Sequence, residues 1–449
     1  MSSTTTRRKT NIRVQVFAIL WIIVVLNFID RATLSVALPF ISEEFDLSPE
    51  VQGVILGSFF WTYLIFQIPG GFLLDRFGPR KVIGVAGTVW GLFQMAGGFV
   101  TGGWMLAFTR LGLGAAEAPV SPSGAKLNSA WLPPKERARG ATFVDAAGPF
   151  GSAVGGVSVA MLIGIFGDWR WAFIVTGALT VVVSILYYLY LRDSPDKHPR
   201  VNKEELDHIA GSAADVAGVS EVDVPRTRDY LRSTSFWGMM IGRLGWATVW
   251  WGIISWTPSY LSSSLGFDLA ALGWGTFFVY GMGVLGQLVA GFTADKLRQK
   301  SARYNLIMKV IFGISGVGTA VAIFSLPGVT DGYVALVHLA LAVFFINFGG
   351  LYWAIPAWLA PKSQVGRIGG VMNVASSGGG GLAPVVMGFA IGASGGSFAG
   401  SFVFLGVAAL FYLVGSLIIN FEKPLAARRG ASDSGTDAGA EAATAATRA

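Results

Sequence analysis

Six ionisable residues stand inside otherwise apolar stretches of this chain. Asp30 and Arg31 lie in NFIDRATLSVALPF (27–40), Arg110 and Glu117 in TRLGLGAAEAPVSPSG (109–124), Asp145 in ATFVDAAGPFG (141–151), and Arg243 in a later apolar run. A charge at the centre of a bilayer costs about 3 kcal/mol even on the mild insertion scale. Arginine presents a planar fork matched to a carboxylate and stays charged at any physiological pH. A carboxyl group in a partly dry cavity is held toward its protonated form, and a nearby cation opposes that. Such a group can load and release protons. Arg110 and Glu117 are about two helical turns apart, so both can face one way. Two arginines and two carboxylates on neighbouring helices can neutralise one another across a cavity and mark a substrate or proton path. A purely structural cluster is the weaker reading, because replacing buried ion pairs with apolar residues is often neutral or stabilising. Asp145 either lines the same path or packs through a hydrogen bond. Arg243 can snorkel to the interface.

The chain that holds these groups has 449 residues, 53% hydrophobic and 13% charged, against roughly 25% charged in a soluble domain. Its 60 glycines suit helices that approach closely in a bilayer. The apolar runs continue for ~20 residues, unlike the ~10-residue alternation of an outer-membrane barrel. There are no cysteines, which removes disulfides, thiol catalysis and thiolate metal sites. The three histidines, His198, His208 and His338, are scattered, so no metal site is expected. No helical His/Glu metal pair, Ser/His arrangement or G-x-x-x-x-G-K-[ST] loop is found, so neither catalytic residues nor a cofactor is expected.

Twelve apolar spans run roughly over 13–40, 50–74, 82–100, 104–126, 140–166, 171–191, 236–260, 271–294, 304–326, 333–359, 367–391 and 399–421. The longest polar interruption, 192–235, carries seven basic and nine acidic residues. The chain therefore divides into a basic tail (1–12), an N-terminal six-helix bundle (13–191), a central loop (192–235), a C-terminal six-helix bundle (236–422) and a disordered tail (423–449). The basic N-terminus leads into an uncleaved first span. Of 33 basic residues, Arg170 alone falls in a loop on the side away from the termini, and Arg31, Arg110 and Arg243 lie inside spans. Both termini are expected to be cytoplasmic. The net charge of +7 then reflects membrane orientation, and no nucleic-acid partner is expected.

Residues 67–76, QIPGGFLLDR, are echoed at 287–296 by QLVAGFTADK, and 131–140, WLPPKERARG, at 358–367 by WLAPKSQVGR. Two six-span repeats related by an axis along the membrane normal would place a substrate site near the midplane between them. In the register that pairs Arg139 with Arg367, Asp145 pairs with Asn373. Polar groups from both halves would then reach the central cavity.

GGFLLDRFGPRK (70–81) joins the second and third spans. Gly71 would permit close packing, Asp75 could accept hydrogen bonds from a neighbouring helix N-terminus, and Arg76, Arg80 and Lys81 would hold the turn at the interface. This stretch resembles the loop motif of the major facilitator superfamily, close to G-x-L-x-D-R-x-G-x-R/K, and the resemblance covers about residues 13–422. It implies an all-α polytopic membrane protein, with twelve transmembrane helices in two pseudo-symmetric six-helix bundles. It also implies that Gly71, Asp75, Arg76, Gly78 and Arg80 form a cytoplasmic latch in the outward-facing state.

NFIDRATLSVALP, SFFWTYLIFQIPGG (58–71), RLGLGAAEAPVSP (110–122) and SWTPSYL (255–261) are similar to the anion:cation symporter branch of that family, which includes sugar-acid and organic-acid:proton symporters of the galactonate, glucarate and hexuronate type. The resemblance implies that Arg31 contacts a substrate carboxylate, that Asp30 and Glu117 carry protons, and that Arg110 pairs with the acids. It places Tyr63, Trp353 and Asn373 on the substrate pocket. Two positions depart from the pattern. Phe28 stands where many sugar-acid members have Tyr, and Gly148 where a polar residue such as Gln aligns. The fewer hydroxyl-binding groups lean toward aromatic or lightly hydroxylated acids.

The expected protein is a monomeric symporter in membrane lipid, importing a small organic anion with protons across a bacterial inner membrane by alternating access. A proton-coupled exporter or antiporter of drugs or metabolites is the alternative, and Arg31 beside Asp30 disfavours a cationic cargo. A non-transporting nutrient sensor on the same scaffold is disfavoured by the short loops, and an enzyme by the lack of catalytic residues.

Overall fold

The computed structural model describes residues 9–133, 136–210, 225–300, 303–361 and 364–426, with only the backbone at 138 and 298–300. The part of the expected disordered tail from residue 427, and residues 211–224 of the central loop, lie outside the described residues. Among the described residues all regular structure is helical.

Among the described residues, nine helices are long and apolar enough to cross a membrane. One of them, Pro49–Phe99, holds two spans, because the chain folds back at Gly78, where φ is 79°. Two further crossings stand outside that set. The fourth span, 103–131, contains Arg110 and Glu117 and is interrupted at Pro119 between Gly103–Glu117 and Val120–Trp131. The seventh, Thr234–Ser259 with a π-helical extension Tyr260–Ser264, carries Arg243 and several tryptophans. Nine helices, one of them double, together with these two make twelve spans.

They are span 1, Ile12–Glu44; spans 2 and 3, 49–77 and 79–96; span 4, 103–131; span 5, Arg139–Phe166; and span 6, Arg170–Tyr190. The second half has span 7, 234–264; span 8, Leu269–Leu297; span 9, Tyr304–Phe324; span 10, Gly332–Leu359; span 11, Val365–Ala393; and span 12, Ala399–Ile418. Each half is a six-helix bundle, and the first and last described residues, 9 and 426, lie on one face, the terminal face.

Gly78 makes the tight return between spans 2 and 3. Positive φ is open to glycine at little cost, and a Cβ there would lie 2.5 Å from Asp193 Oδ1. The same carboxylate accepts from the backbone N–H of Arg80 at 2.8 Å, and Arg80 Nε donates to the carbonyl of Tyr188 at 2.9 Å. These contacts tie the turn to the end of span 6.

The central loop has structure of its own, including helices Lys203–Ala210 and Thr227–Leu231. Glu205, fully buried, accepts hydrogen bonds from the Thr10 hydroxyl, the backbone N–H groups of Ile12 and Arg13, and the Arg13 guanidinium. A helix start leaves such N–H groups without intrahelical partners and carries partial positive charge, so a carboxylate suits it. Burial works against the ionised form of Glu205. The hydrogen bonds outweigh it and hold the carboxyl below its usual range.

The halves meet through close backbone approaches toward the far face. A Cβ on Gly53 or Gly57 of span 2 would lie 2.6 Å from the Pro384 carbonyl oxygen and 2.9 Å from that of Gly381 on span 11. A Cβ on Gly156 of span 5 would lie 2.2 Å from Thr276 Oγ1 on span 8. Toward the terminal face, Gly71, Gly291, Gly366, Gly369 and Gly370 of these helices face open space. The two bundles pack closely toward the far face, and these glycines near the terminal face meet no such neighbour.

Candidate functional site

Arg31 occupies the middle of span 1, its side chain only 13% exposed, and forms an ion pair with Glu117 at the break in span 4. The guanidinium carbon lies 4.5 Å from the Phe59 ring centroid, 4.9 Å from Trp251, 5.0 Å from Phe28 and 5.7 Å from Tyr63. Aromatic faces attract a desolvated cation through the ring quadrupole. Trp251 belongs to the other half and reaches across to stack on Phe28 at 5.9 Å and to meet Phe60 edge-on at 4.8 Å. The Arg31 site is therefore assembled from both bundles. Arg31 Nε is buried with no hydrogen-bond partner among the described residues. Tyr63 hydroxyl and Ser121 Oγ are 3.0 Å apart, which orients the phenol beside the cation.

Asp30 points elsewhere. Consecutive helical residues are rotated by ~100°, and here the turn carries Asp30 into the interior of the first bundle, where it has no exposed surface. Its Oδ2 accepts from Trp90 Nε1 at 3.1 Å and from Thr180 Oγ1 at 3.0 Å. Arg110 is buried nearby, its guanidinium 5.2 Å from the Phe173 ring. It acts electrostatically on both Asp30 and Glu117, while its Nε and Nη2 have no hydrogen-bond partner among the described residues. Arg110 makes no ion-pair contact with either acid among the described residues.

In the second half, Trp353 lies in the 3₁₀ stretch Asn347–Ala354 of span 10 and is 42% exposed. Its ring lies 4.6 Å from the Arg243 guanidinium carbon. Asn373 is half-buried on span 11. Asp145 accepts a hydrogen bond from Gln287 of span 8, in the other half. Gln67, the repeat partner of Gln287, donates to Ser377 Oγ of span 11 at 3.4 Å. Ser377 lies one turn beyond Asn373, which itself pairs with Asp145 in the repeat. The internal repeat therefore surfaces as two polar contacts between the halves.

The loop motif contacts its own half. Asp75, 80% exposed, accepts from Lys126 Nζ of span 4 at 3.0 Å, in place of the helix N-terminus expected for it. Arg76 lies against Phe77 at 5.3 Å. The close packing expected at Gly71 belongs to Gly70, where a Cβ would lie 2.9 Å from Pro119 Cγ; Gly71 meets open space. One helical step turns Gly71 away from span 4.

Trp251, Trp90 and Thr180 did not stand out in the sequence. Trp251 is one of several tryptophans in its span, and nothing local marks it as the residue that reaches Arg31. Gln287 did carry a signal, its coincidence with Gln67 in the repeat.

A profile of the Major Facilitator Superfamily matches residues 20–384. A probable sulfoacetate transporter of Cupriavidus necator is 29% identical over 422 residues, covering 93% of this chain and 97% of that protein. A probable L-galactonate transporter of Escherichia coli K12 is 32% identical over 391 residues, covering 86% and 85%. Among solved structures, a bacterial homolog of the human lysosomal transporter Spinster, inward-facing and unoccupied, aligns with a TM-score of 0.72 at 19% identity, covering 92% of this chain and 98% of that one. That likeness shows the fold.

Proposed function

Because the chain belongs to the major facilitator superfamily, we propose that it is a proton-coupled symporter importing a small organic anion across the inner membrane by alternating access. It is a multi-pass membrane transporter and not an enzyme. The observation that carries the anion reading is Arg31. It is a largely buried guanidinium in an aromatic setting built by both bundles, with Glu117 as its one ion-pair partner among the described residues.

An arriving carboxylate competes with Glu117 for that guanidinium. Once displaced, Glu117 loses its nearest cation and favours its protonated form. Binding of the anion and uptake of a proton are then linked through one group. Asp30 carries the second proton in the bundle interior, with Arg110 between the two acids balancing their charge. Tyr63, Trp353 and Asn373 line the pocket, and Asp145 borders its route. The names of the relatives, a sulfoacetate and a galactonate transporter, support an organic acid as cargo.

The terminal face is the cytoplasmic one, on the distribution of basic residues. The bundles 13–191 and 236–422 rock about the site, tethered by 192–235. When the cytoplasmic side closes, Asp75 with Gly71, Arg76, Gly78 and Arg80 latches the halves, exchanging its bond to Lys126.

Purified protein in proteoliposomes tests this reading. With an imposed inward proton gradient, labelled sulfoacetate or L-galactonate should accumulate, with alkalinisation outside, and Arg31→Ala should abolish accumulation. Arg31→Ala vesicles that take up the acids as well as the parent would refute the assignment. Acidification outside on substrate addition would favour an exchanger.

A further inference from the structure

Arg243 is a buried charge that this cycle leaves unused. It stands on span 7, nine residues beyond Thr234, and is 2% exposed. Snorkelling to the interface is therefore not its role. The guanidinium carbon lies 4.0 Å from the Trp246 ring and 4.6 Å from the Trp353 ring. Nε and Nη1 have no hydrogen-bond partner among the described residues. The carboxylate acting on it electrostatically is Asp145 of the other half, whose recorded hydrogen bond comes from Gln287. A buried guanidinium with unfilled donors is costly, and an apolar side chain would serve packing as well. Part of its cover is exposed. Trp353 is 42% exposed and belongs to an eight-residue 3₁₀ stretch, long for that conformation and typical of a hinge within a helix.

We propose that Arg243 is a second anion-binding group of the same pocket, and that the cargo is a dianion, a dicarboxylate or carboxylate–sulfonate, held at its two ends by Arg31 and Arg243. This rests on the assignment of Arg31 to one carboxylate. Trp251, whose ring lies 4.9 Å from the Arg31 guanidinium carbon, stands eight residues along the same helix from Arg243, about 12 Å at 1.5 Å per residue. Arg31 thus meets span 7 about two helical turns from Arg243. Each arginine faces a carboxylate, Glu117 by contact and Asp145 through space. A dianion replaces both.

The test is calorimetric titration of the full-length purified protein with matched pairs: D-glucarate and D-gluconate, glutarate and pentanoate, phthalate and benzoate, sulfoacetate and acetate. At least one dianion should bind, with its monoanion partner weaker by about tenfold or more. Arg243→Gln should bring that dianion to the monoanion's level while the monoanion is unchanged. Asp145→Asn, which removes the resident carboxylate, should tighten dianion binding. If Arg243→Gln does not fold, Arg243→Lys is read instead: it keeps the charge but not the fork, and should weaken the dianion several-fold without touching the monoanion. Equal binding within every pair, equal losses for both members in the Arg243 variant, or no dianion binding overturns the proposal. Dianion binding that is unchanged in Arg243→Gln and vanishes in Arg31→Ala overturns the second site alone. Carboxylate binding indifferent to Arg31→Ala overturns the primary assignment.

Discussion

Gly53 and Pro384 pack so closely across the two halves that a side chain on Gly53 would begin 2.6 Å from the Pro384 carbonyl oxygen. In a bilayer, where apolar lipid competes with apolar side chains, contacts of small residues are what let helices associate. Gly53→Leu should wedge the far face open. The chain has no cysteine, so one placed at Ser377, which meets Gln67 across this interface, reports directly. It should become reactive to an impermeant maleimide from the far side in the Gly53→Leu background and not in the parent. Uptake should fall by roughly tenfold, equivalent to about 1.4 kcal/mol in the closing equilibrium. Unchanged labelling with normal uptake would show that this contact does not seal the path.

Asp30→Asn keeps the shape and one acceptor for Trp90 and Thr180 but removes the titrating group. Gradient-driven accumulation should be lost, while exchange of labelled for unlabelled substrate continues at near the parent rate. Loss of both would make Asp30 part of binding or folding and not of proton coupling. Trp90→Phe should be milder, removing one hydrogen bond to a charged group at a cost of about 1.5–3 kcal/mol.

Glu205 ties the central loop to the start of span 1 through hydrogen bonds that favour its ionised form. A carboxyl held below its usual pKa adds stability at pH values above the unfolded pKa of about 4.3. That contribution disappears as pH falls through the lower, folded value. Glu205→Gln should lower stability by about 2–3 kcal/mol at neutral pH. In thermal unfolding of the purified protein, the gap between parent and variant should close in the acid range. A gap independent of pH would remove the charge from the explanation.

Gly78→Ala adds a Cβ at φ 79°, 2.5 Å from Asp193 Oδ1. Backbone strain of about 1 kcal/mol or more and the clash should together lower the melting temperature. Adding Asp193→Ala removes the clash but also the bond to Arg80. The double variant should therefore cost less than the sum of the two single changes. Full additivity would mean that the two residues do not meet.

The twelve spans were legible because apolar runs near 20 residues have few other uses. Helices Lys203–Ala210 and Thr227–Leu231 were not legible. They are short and polar, and Glu205 acquires its meaning only beside the start of span 1. In the site, residue types pointed to Arg31 and Glu117, since charge in an apolar run needs an account. The direction of each side chain was hidden. Adjacency in NFIDRATL says that Asp30 and Arg31 diverge, not which one meets Trp251. The one-residue difference between Gly71 and Gly70 has the same origin, because the phase of a helix about its axis is set by packing partners far along the chain.

The divergence of Asp30 and Arg31 from one turn of span 1 separates two kinds of evolutionary freedom. Side chains around the guanidinium, Phe28, Phe59 and Trp251 among them, can be exchanged to admit a different acid while the carboxylate held by Trp90 and Thr180 stays as it is. With Arg31 proposed to hold the cargo and Asp30 the second proton, the surroundings of one can change while those of the other are kept, although a single peptide bond joins the two residues.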